Sequence, residues 1–146
     1  MGWLPKDTVV VSTDFSEASM EAVHAAQSMV RDVKNLHVIH VIELTPDLDP
    51  NVFGSEDRHE KRKHETRDKL RQTLNENGLS DARAEIIDDL GQRGPGATIA
   101  EYADKQNADL VVVSTHGYSG LKRLAMGSVA EQVVRHTERP VLLLHR

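Results

Sequence analysis

Four short apolar runs, at residues 8–11, 36–42, 109–113 and 141–144, are mostly continuous rather than alternating and rich in valine, isoleucine and leucine. This pattern predicts strands buried on both faces of a parallel sheet, because a strand covered by helices on each side keeps no solvent face for polar residues. A weaker run at 84–90, with acidic residues inside it, predicts an edge strand. Between the runs the spacing lengthens to that of a helix. Ala22, Ala26, Met29, Val30 and Val33 fall on one face, and Ser16 is placed to cap the first turn by accepting from a free backbone N–H. Residues 94–106 form a second helical segment, with Pro95 in the first turn where its missing N–H costs nothing. Residues 128–136 form another, with Val129, Val133 and Val134 on one side and Ser128 and Glu131 in the S-x-x-E spacing of a capping box.

Residues 56–77 differ in character. Their first half, "EDRHEKRKHETRDK", has no apolar residue, while Asp57/Lys61 and Glu65/Lys69 are spaced to pair across one helical turn. The expectation is a long helix whose start projects into solvent and whose end docks through Leu70 and Leu74 before Asn77-Gly78 stops it. The other reading of its charged half is a partner-binding surface. Ahead of it, residues 45–55, "TPDLDPNVFGS", read as a surface loop.

The order β-α-β-loop-α-β-α-β-loop-α-β, with right-handed crossovers, predicts an α/β fold: one open, doubly wound, five-stranded parallel sheet with helices on both faces. The 146 residues fit a single domain, 1–146. In such sheets the ligand crevice lies beyond the carboxyl ends of the strands where strand order switches, which directs attention to the residues after Val11, Ile42 and Val113.

Composition narrows the chemistry. The chain has no cysteine, which removes thiol catalysis, thiolate metal sites and disulfides, and suits a reducing, cytoplasmic setting. The first residues form no apolar signal core, and no stretch approaches the ~18 apolar residues of a membrane span. A net charge of −5 disfavours broad attraction to nucleic acid or anionic lipid, and two Phe, two Tyr and one Trp offer no stacking platform for bases. The eight histidines give no metal signature, since His37 and His40, three apart on a strand, point to opposite faces.

Two stretches carry candidate chemistry. In Ser12-Thr13-Asp14-Phe15-Ser16, a carboxylate at a strand's carboxyl end can accept from ribose or adenine or hold magnesium; alternatively Asp14 and Ser16 only help cap the next helix. In "STHGYSGLKRLAMGSVAE", residues 114–131, Gly117 and Gly120 let backbone amides turn toward an anion, and Gly127-Ser128 sits at a helix start where free N–H groups and the positive dipole end favour phosphate. His116 is either a phosphate contact or an idle loop histidine. There is no G-x-x-x-x-G-K-[ST], and Gly117-Tyr118-Ser119-Gly120 is one residue short of a G-x-S-x-G elbow.

These residues resemble the universal stress proteins of the UspA superfamily, and the resemblance spans essentially the whole chain. That family's nucleotide signature is G-x-x-G, nine residues, then G-[ST]; here Ser114, Gly117, Gly127 and Ser128 occupy those positions, with residues 118–126 as the nine and serine in place of the first glycine. "VVVSTDFSEAS", "HVIHVIE" and "RPVLLL" are similar to the family's first, second and last strands. The resemblance implies ATP (or ADP or AMP) with Mg2+. It implies contacts from Thr13 and Asp14, backbone at Val41 against adenine, Gly117 near ribose and phosphates, and Gly127, Ser128 and Val129 on the phosphates. Val113 and Ser114 at the strand end and His116 in the loop complete the candidate set. It further implies a homodimer through the last strand, residues 141–144, and an unidentified protein partner. No residue stands out as a base or nucleophile with an orienting partner, so a nucleotide-binding regulator is the first expectation; a slow ATPase and a nucleotide-free interaction module are the alternatives.

Overall fold

The computed structural model describes residues 2–43, 55–89, 93–115 and 128–145, the side chains of 55–57 excepted. Strands β1 (Val9–Ser12), β2 (Leu36–Glu43), β3 (Arg83–Asp89), β4 (Leu110–Ser114) and β5 (Val141–Leu144) form one parallel sheet in the order β3-β2-β1-β4-β5. Four helices cover it. α1 (Glu17–Met29) and α2 (Ser55–Glu76) pack on the face carrying Val9, Val11 and Val38, while α3 (Pro95–Lys105) and α4 (Ser128–His136) pack on the face carrying Val10, Ile39 and Val111. The doubly wound expectation is met, with β3 at one edge as its weaker apolar pattern implied. Val9, Val10 and Val11 of the central strand are fully buried, each contributing about 1.5 kcal/mol or more by leaving water.

The helix ends follow local chemistry. Ser16 caps α1, its Oγ accepting from Ser19 N at 3.2 Å. α2 closes in a Schellman turn: Gly78, at φ +73°, lets Leu79 N donate to the Leu74 carbonyl at 2.8 Å, and both leucines are fully buried. α3 starts with Pro95 in its first turn, but its cap comes from a neighbouring strand. The carboxylate of Asp89, at the end of β3, accepts from Arg93 N (3.2 Å), Gly94 N (2.9 Å) and Thr98 Oγ1 (3.1 Å).

The charged half of α2 is not wholly solvated. His59 Nε2 donates to Asp88 Oδ1 at 3.1 Å and Lys63 Nζ donates to Asp88 Oδ2 at 3.2 Å, all three side chains being largely shielded from water. His59, Lys63, Leu70 and Leu74 thus share the face of the helix turned to the sheet, the first two taking places that apolar residues take further along. The expected Glu65/Lys69 pair is replaced: Glu65 pairs back with Lys61 at 3.9 Å, and the Lys69 ammonium lies over the Phe15 ring. Asp57 has no described side chain, and residues 45–54 lie outside the described residues.

His37 and His40 do point to opposite faces. His37 is buried toward α3, its Nδ1 2.8 Å from the Tyr102 hydroxyl. Burial, reinforced by Arg83 and opposed by Glu85, pushes the His37 imidazole below its ordinary pKa. Burial, reinforced by Glu85 and opposed by Arg83, pushes the Tyr102 hydroxyl up to about 12. Tyr102 therefore keeps its proton and donates to a neutral His37. Because His37 takes up a proton less readily folded than unfolded, its stabilising contribution is complete above about pH 6.5 and is lost as pH falls toward its lowered folded pKa. Substituting His37→Gln is expected to flatten the decline of the urea midpoint between about pH 6.5 and 5 relative to wild type; parallel declines in the two proteins would count against this assignment.

Candidate functional site

All five strands end at one edge of the sheet, and their order reverses between β1 and β4. The register Val9↔Leu110, Val10↔Val111, Val11↔Val112, continued two residues, sets Thr13 level with Ser114 at that reversal. In parallel sheets a crevice lies at such a reversal, and α1, which follows β1, and α4, which follows β4, pack on opposite faces here.

The turn after β1 is densely bonded. Thr13 is buried, its Oγ1 2.8 Å from Ser19 Oγ and accepting from Phe15 N at 3.0 Å. Its hydroxyl is thus committed to the turn. Asp14 N donates to Ser19 Oγ at 3.2 Å, and Asp14 Oδ1 accepts from Ser16 N at 2.9 Å, an Asx turn that leads into the Ser16 cap. The capping reading of this stretch is met: Asp14 and Ser16 organise the start of α1, and the half-buried Asp14 does so beside the strand reversal. Phe15, between them, has φ +69°, a conformation that is an outlier for a bulky side chain.

β2 runs past the end of β1. Ile39 C=O accepts from Thr13 N at 2.9 Å, so it faces β1. Val41, two residues on, presents its peptide groups to the same side, beyond the last β1 residue, while its side chain packs toward α3 and α4. His40 points the other way; its Nδ1 donates to the Thr13 carbonyl at 2.7 Å and its ring packs on Phe15 with centroids 4.9 Å apart. Across the reversal, the Val113 side chain is core, Ser114 is half-buried and pairs with Leu144 of β5, and Thr115 N donates to the Leu144 carbonyl at 3.1 Å.

α4 begins at Ser128, one residue earlier than a capping box centred there requires, and Glu131 accepts from Arg135 Nη2 at 2.6 Å instead of reaching back. Ser128 is thus a first-turn residue. Gly127, His116 and Gly117 lie outside the described residues, as do 118–126. Of the helix starts at this edge, α1 is capped by Ser16 and Asp89 accepts the amides that lead into α3, whereas among the described residues no side chain caps α2 or α4. Helix N-termini attract anions, so the start of α4, which follows β4 after the strand reversal, is chemically suited to phosphate. Among the described residues no group of three or more His, Asp or Glu could hold a metal ion, and no helix is long and apolar enough to cross a membrane.

Of the sequence-predicted residues, Thr13, Asp14, Val41, Val113 and Ser114 converge on the strand ends, and Ser128 and Val129 stand in the first turn of α4. Sequence reasoning missed Phe15, His40 and Lys69, which surround the Asp14 turn. Their only signal would have been an aromatic residue in a turn that demands positive φ.

The family model described as "Universal stress protein family" matches residues 6–145. Universal stress protein MJ0531 of Methanocaldococcus jannaschii is 30% identical over 143 residues, covering 94% of this chain and 81% of that protein. The solved structure of MJ0577, from the same organism, superimposes with a TM-score of 0.77 at 20% identity, covering 98% of both chains. A universal stress protein from Archaeoglobus fulgidus, solved in complex with dAMP, superimposes with a TM-score of 0.58 at 20% identity, covering 96% of this chain and 98% of that one.

The start of α4 is seated against α3 by a close approach that only glycine permits. A Cβ on Gly96 would meet the Val129 carbonyl oxygen at 2.5 Å and Gln132 Cβ at 2.4 Å, and Gly96 N donates to Gln132 Oε1 at 3.2 Å. Gly96→Ala must push the two helices apart. It is expected to lower stability by about 1–3 kcal/mol in urea unfolding; an unchanged midpoint would show that α4 is not seated in this way.

Proposed function

The chain belongs to the universal stress protein family, and from that premise we propose that it is a cytoplasmic, homodimeric regulator that binds ATP, with Mg2+ carried on the phosphates, and presents its state to a protein partner. The observation that carries this reading is the reversal between β1 and β4, which sets the Asp14 turn beside the strand end at Ser114, with α4 following β4 on the face that carries Val10 and Val113.

Each part of a nucleotide finds suitable chemistry there. The peptide groups of Val41, beyond the end of β1, match the alternating donor and acceptor edge of adenine. The Asp14 carboxylate accepts from ribose hydroxyls or, through water, meets the metal. Backbone amides at Ser128 and Val129, at the positive end of α4, hold phosphate together with Gly117, Gly127 and His116 of the preceding loop. Thr13, with its hydroxyl inside the turn, contributes by holding Asp14 in place; Val113 contributes backbone only, and Ser114 offers a hydroxyl where a glycine is usual. A cradle of amides recognises phosphate generically, so ADP and AMP are alternative ligands. The dAMP complex of the Archaeoglobus fulgidus relative agrees with adenine nucleotide as the ligand class.

The dimer is supported by β5. It is an edge strand of four apolar residues, each only half-buried, and it leaves one row of backbone groups for a second copy to pair with.

Isothermal titration of the chain with Mg-ATP tests the reading. The expected result is one nucleotide per chain with a micromolar Kd, about −8 kcal/mol, weakened roughly tenfold or more by Gly117→Ala and by Asp14→Ala. Absence of binding by the wild type, or Gly117→Ala titrating like wild type, would overturn it.

A further inference from the structure

Phe15 is held in an unfavourable backbone conformation by partners from two other elements. At φ +69° a bulky residue sits in the left-handed region, which persists only where surroundings over-determine it. Its N–H donates to Thr13 Oγ1 at 3.0 Å. One contact of its ring is the His40 imidazole of β2, centroids 4.9 Å apart; another is the Lys69 ammonium of α2, 4.1 Å from the ring centre. His40 is itself fixed, because its Nδ1–H donates to the carbonyl of Thr13, the residue whose hydroxyl holds Phe15 N. The strained residue is therefore enclosed between β1, β2 and α2.

What this enclosure fixes is Asp14. The carboxylate is bonded to Ser16 N, and its backbone N–H to Ser19 Oγ, so the direction of the Asp14 side chain depends on the φ of the residue between Asp14 and Ser16. Were Phe15 to relax to negative φ, the Asx turn would open and Asp14 would swing away from the strand reversal. The cation is not otherwise engaged along its own helix, since Glu65 pairs with Lys61.

We propose that Phe15 and Lys69 are positioning residues for the nucleotide site: the ammonium of α2, lying on the Phe15 ring, stabilises the left-handed turn that aims Asp14 into the crevice. This inference rests on the nucleotide reading given above and assigns α2 a control over the affinity of the site. A cation–π contact at a partly exposed position corresponds to about fivefold in an equilibrium constant.

The test combines amide resonances of Asp14 and Ser16 in the nucleotide-free protein with Mg-ATP titration, for wild type, Lys69→Met, Lys69→Arg, Phe15→Gly and the double variant Phe15→Gly/Lys69→Met. Lys69 is exposed, so its replacement by Met, which keeps the alkyl stem, leaves the fold intact. Lys69→Met is expected to move both resonances and weaken ATP binding about fivefold, while Lys69→Arg restores both. In the Phe15→Gly background the Lys69→Met change is expected to add nothing, since the ring it acts on is gone. The proposal is overturned if Lys69→Met leaves the resonances at wild-type positions, if the resonances move without loss of affinity, or if the loss is the same in the Phe15→Gly background. A wild type that takes up no nucleotide overturns the nucleotide reading instead, and the resonances alone then decide whether Lys69 sets the turn.

Discussion

The structure depends on the burial of β1 between two parallel neighbours. Val9, Val10 and Val11 have no solvent face, and each alternate side chain enters a different helical layer. A parallel neighbour on each side can be reached only by crossovers, and right-handed crossovers from a central strand must proceed outward one way and then return to go the other. The chain does so: β1 to β2 to β3, then back across to β4 and β5. The reversal beside β1 follows from that winding, and so does the placement of the Asp14 turn next to the end of β4. The crevice is a product of how the hydrophobic core is built, before any residue in it is chosen for chemistry.

Burial alone does not hold the outer elements in place. At the end of β3 two adjacent carboxylates point to opposite faces. Asp88 receives His59 and Lys63 from α2, and Asp89 receives the amides of Arg93 and Gly94 that lead into α3. Asp89 satisfies donors that a helix start otherwise leaves to water, and each such bond to a charged acceptor is worth about 1.5–3 kcal/mol. The Asp88 cluster is different in kind. Its members are shielded, so their attraction is offset by lost hydration, and His59 Nδ1 is buried with no partner among the described residues. Such a cluster adds little net stability, but it admits only one rotation of α2 about its axis. That rotation also brings Lys69 over Phe15.

Apolar pattern made most of the fold legible. The run at residues 141–144 coincides with β5, the other runs fall within a residue or two of their strands, and Leu70 and Leu74 dock as their spacing implied. The periodic rule failed on the first half of α2 because it counts only apolar residues. His59 and Lys63 continue the buried face by charge, and their counter-ion, Asp88, is 25 or more residues away in sequence. Of the candidate site, Asp14 and Ser16 were visible as a hydroxyl-carboxylate cluster at a strand end. Val41 entered only through the family resemblance, since the exposure of its peptide groups depends on β2 outlasting β1, a fact of register that no local pattern carries. Nor was the environment of Asp14, which is assembled from three elements and from a backbone angle at Phe15 that aromatic residues seldom adopt.

The start of α4 shows why a motif match is weaker than the geometry behind it. S-x-x-E at residues 128–131 reads equally as a closed cap, in which serine and glutamate satisfy the first amides, and as a helix mouth able to receive an anion. The two cannot operate together, since both draw on the same N–H groups. A shift of one residue in the helix start decides between them. With Ser128 already inside the first turn and Glu131 turned forward to Arg135, the box is not formed, and those amides are not satisfied by that pair. At α3, by contrast, the Asp89 carboxylate takes the Arg93 and Gly94 amides ahead of the helix, and Gln132 Oε1 takes the Gly96 amide in its first turn. The sheet edge thus carries one helix start closed by a carboxylate and one beside the strand reversal that its own serine and glutamate do not close.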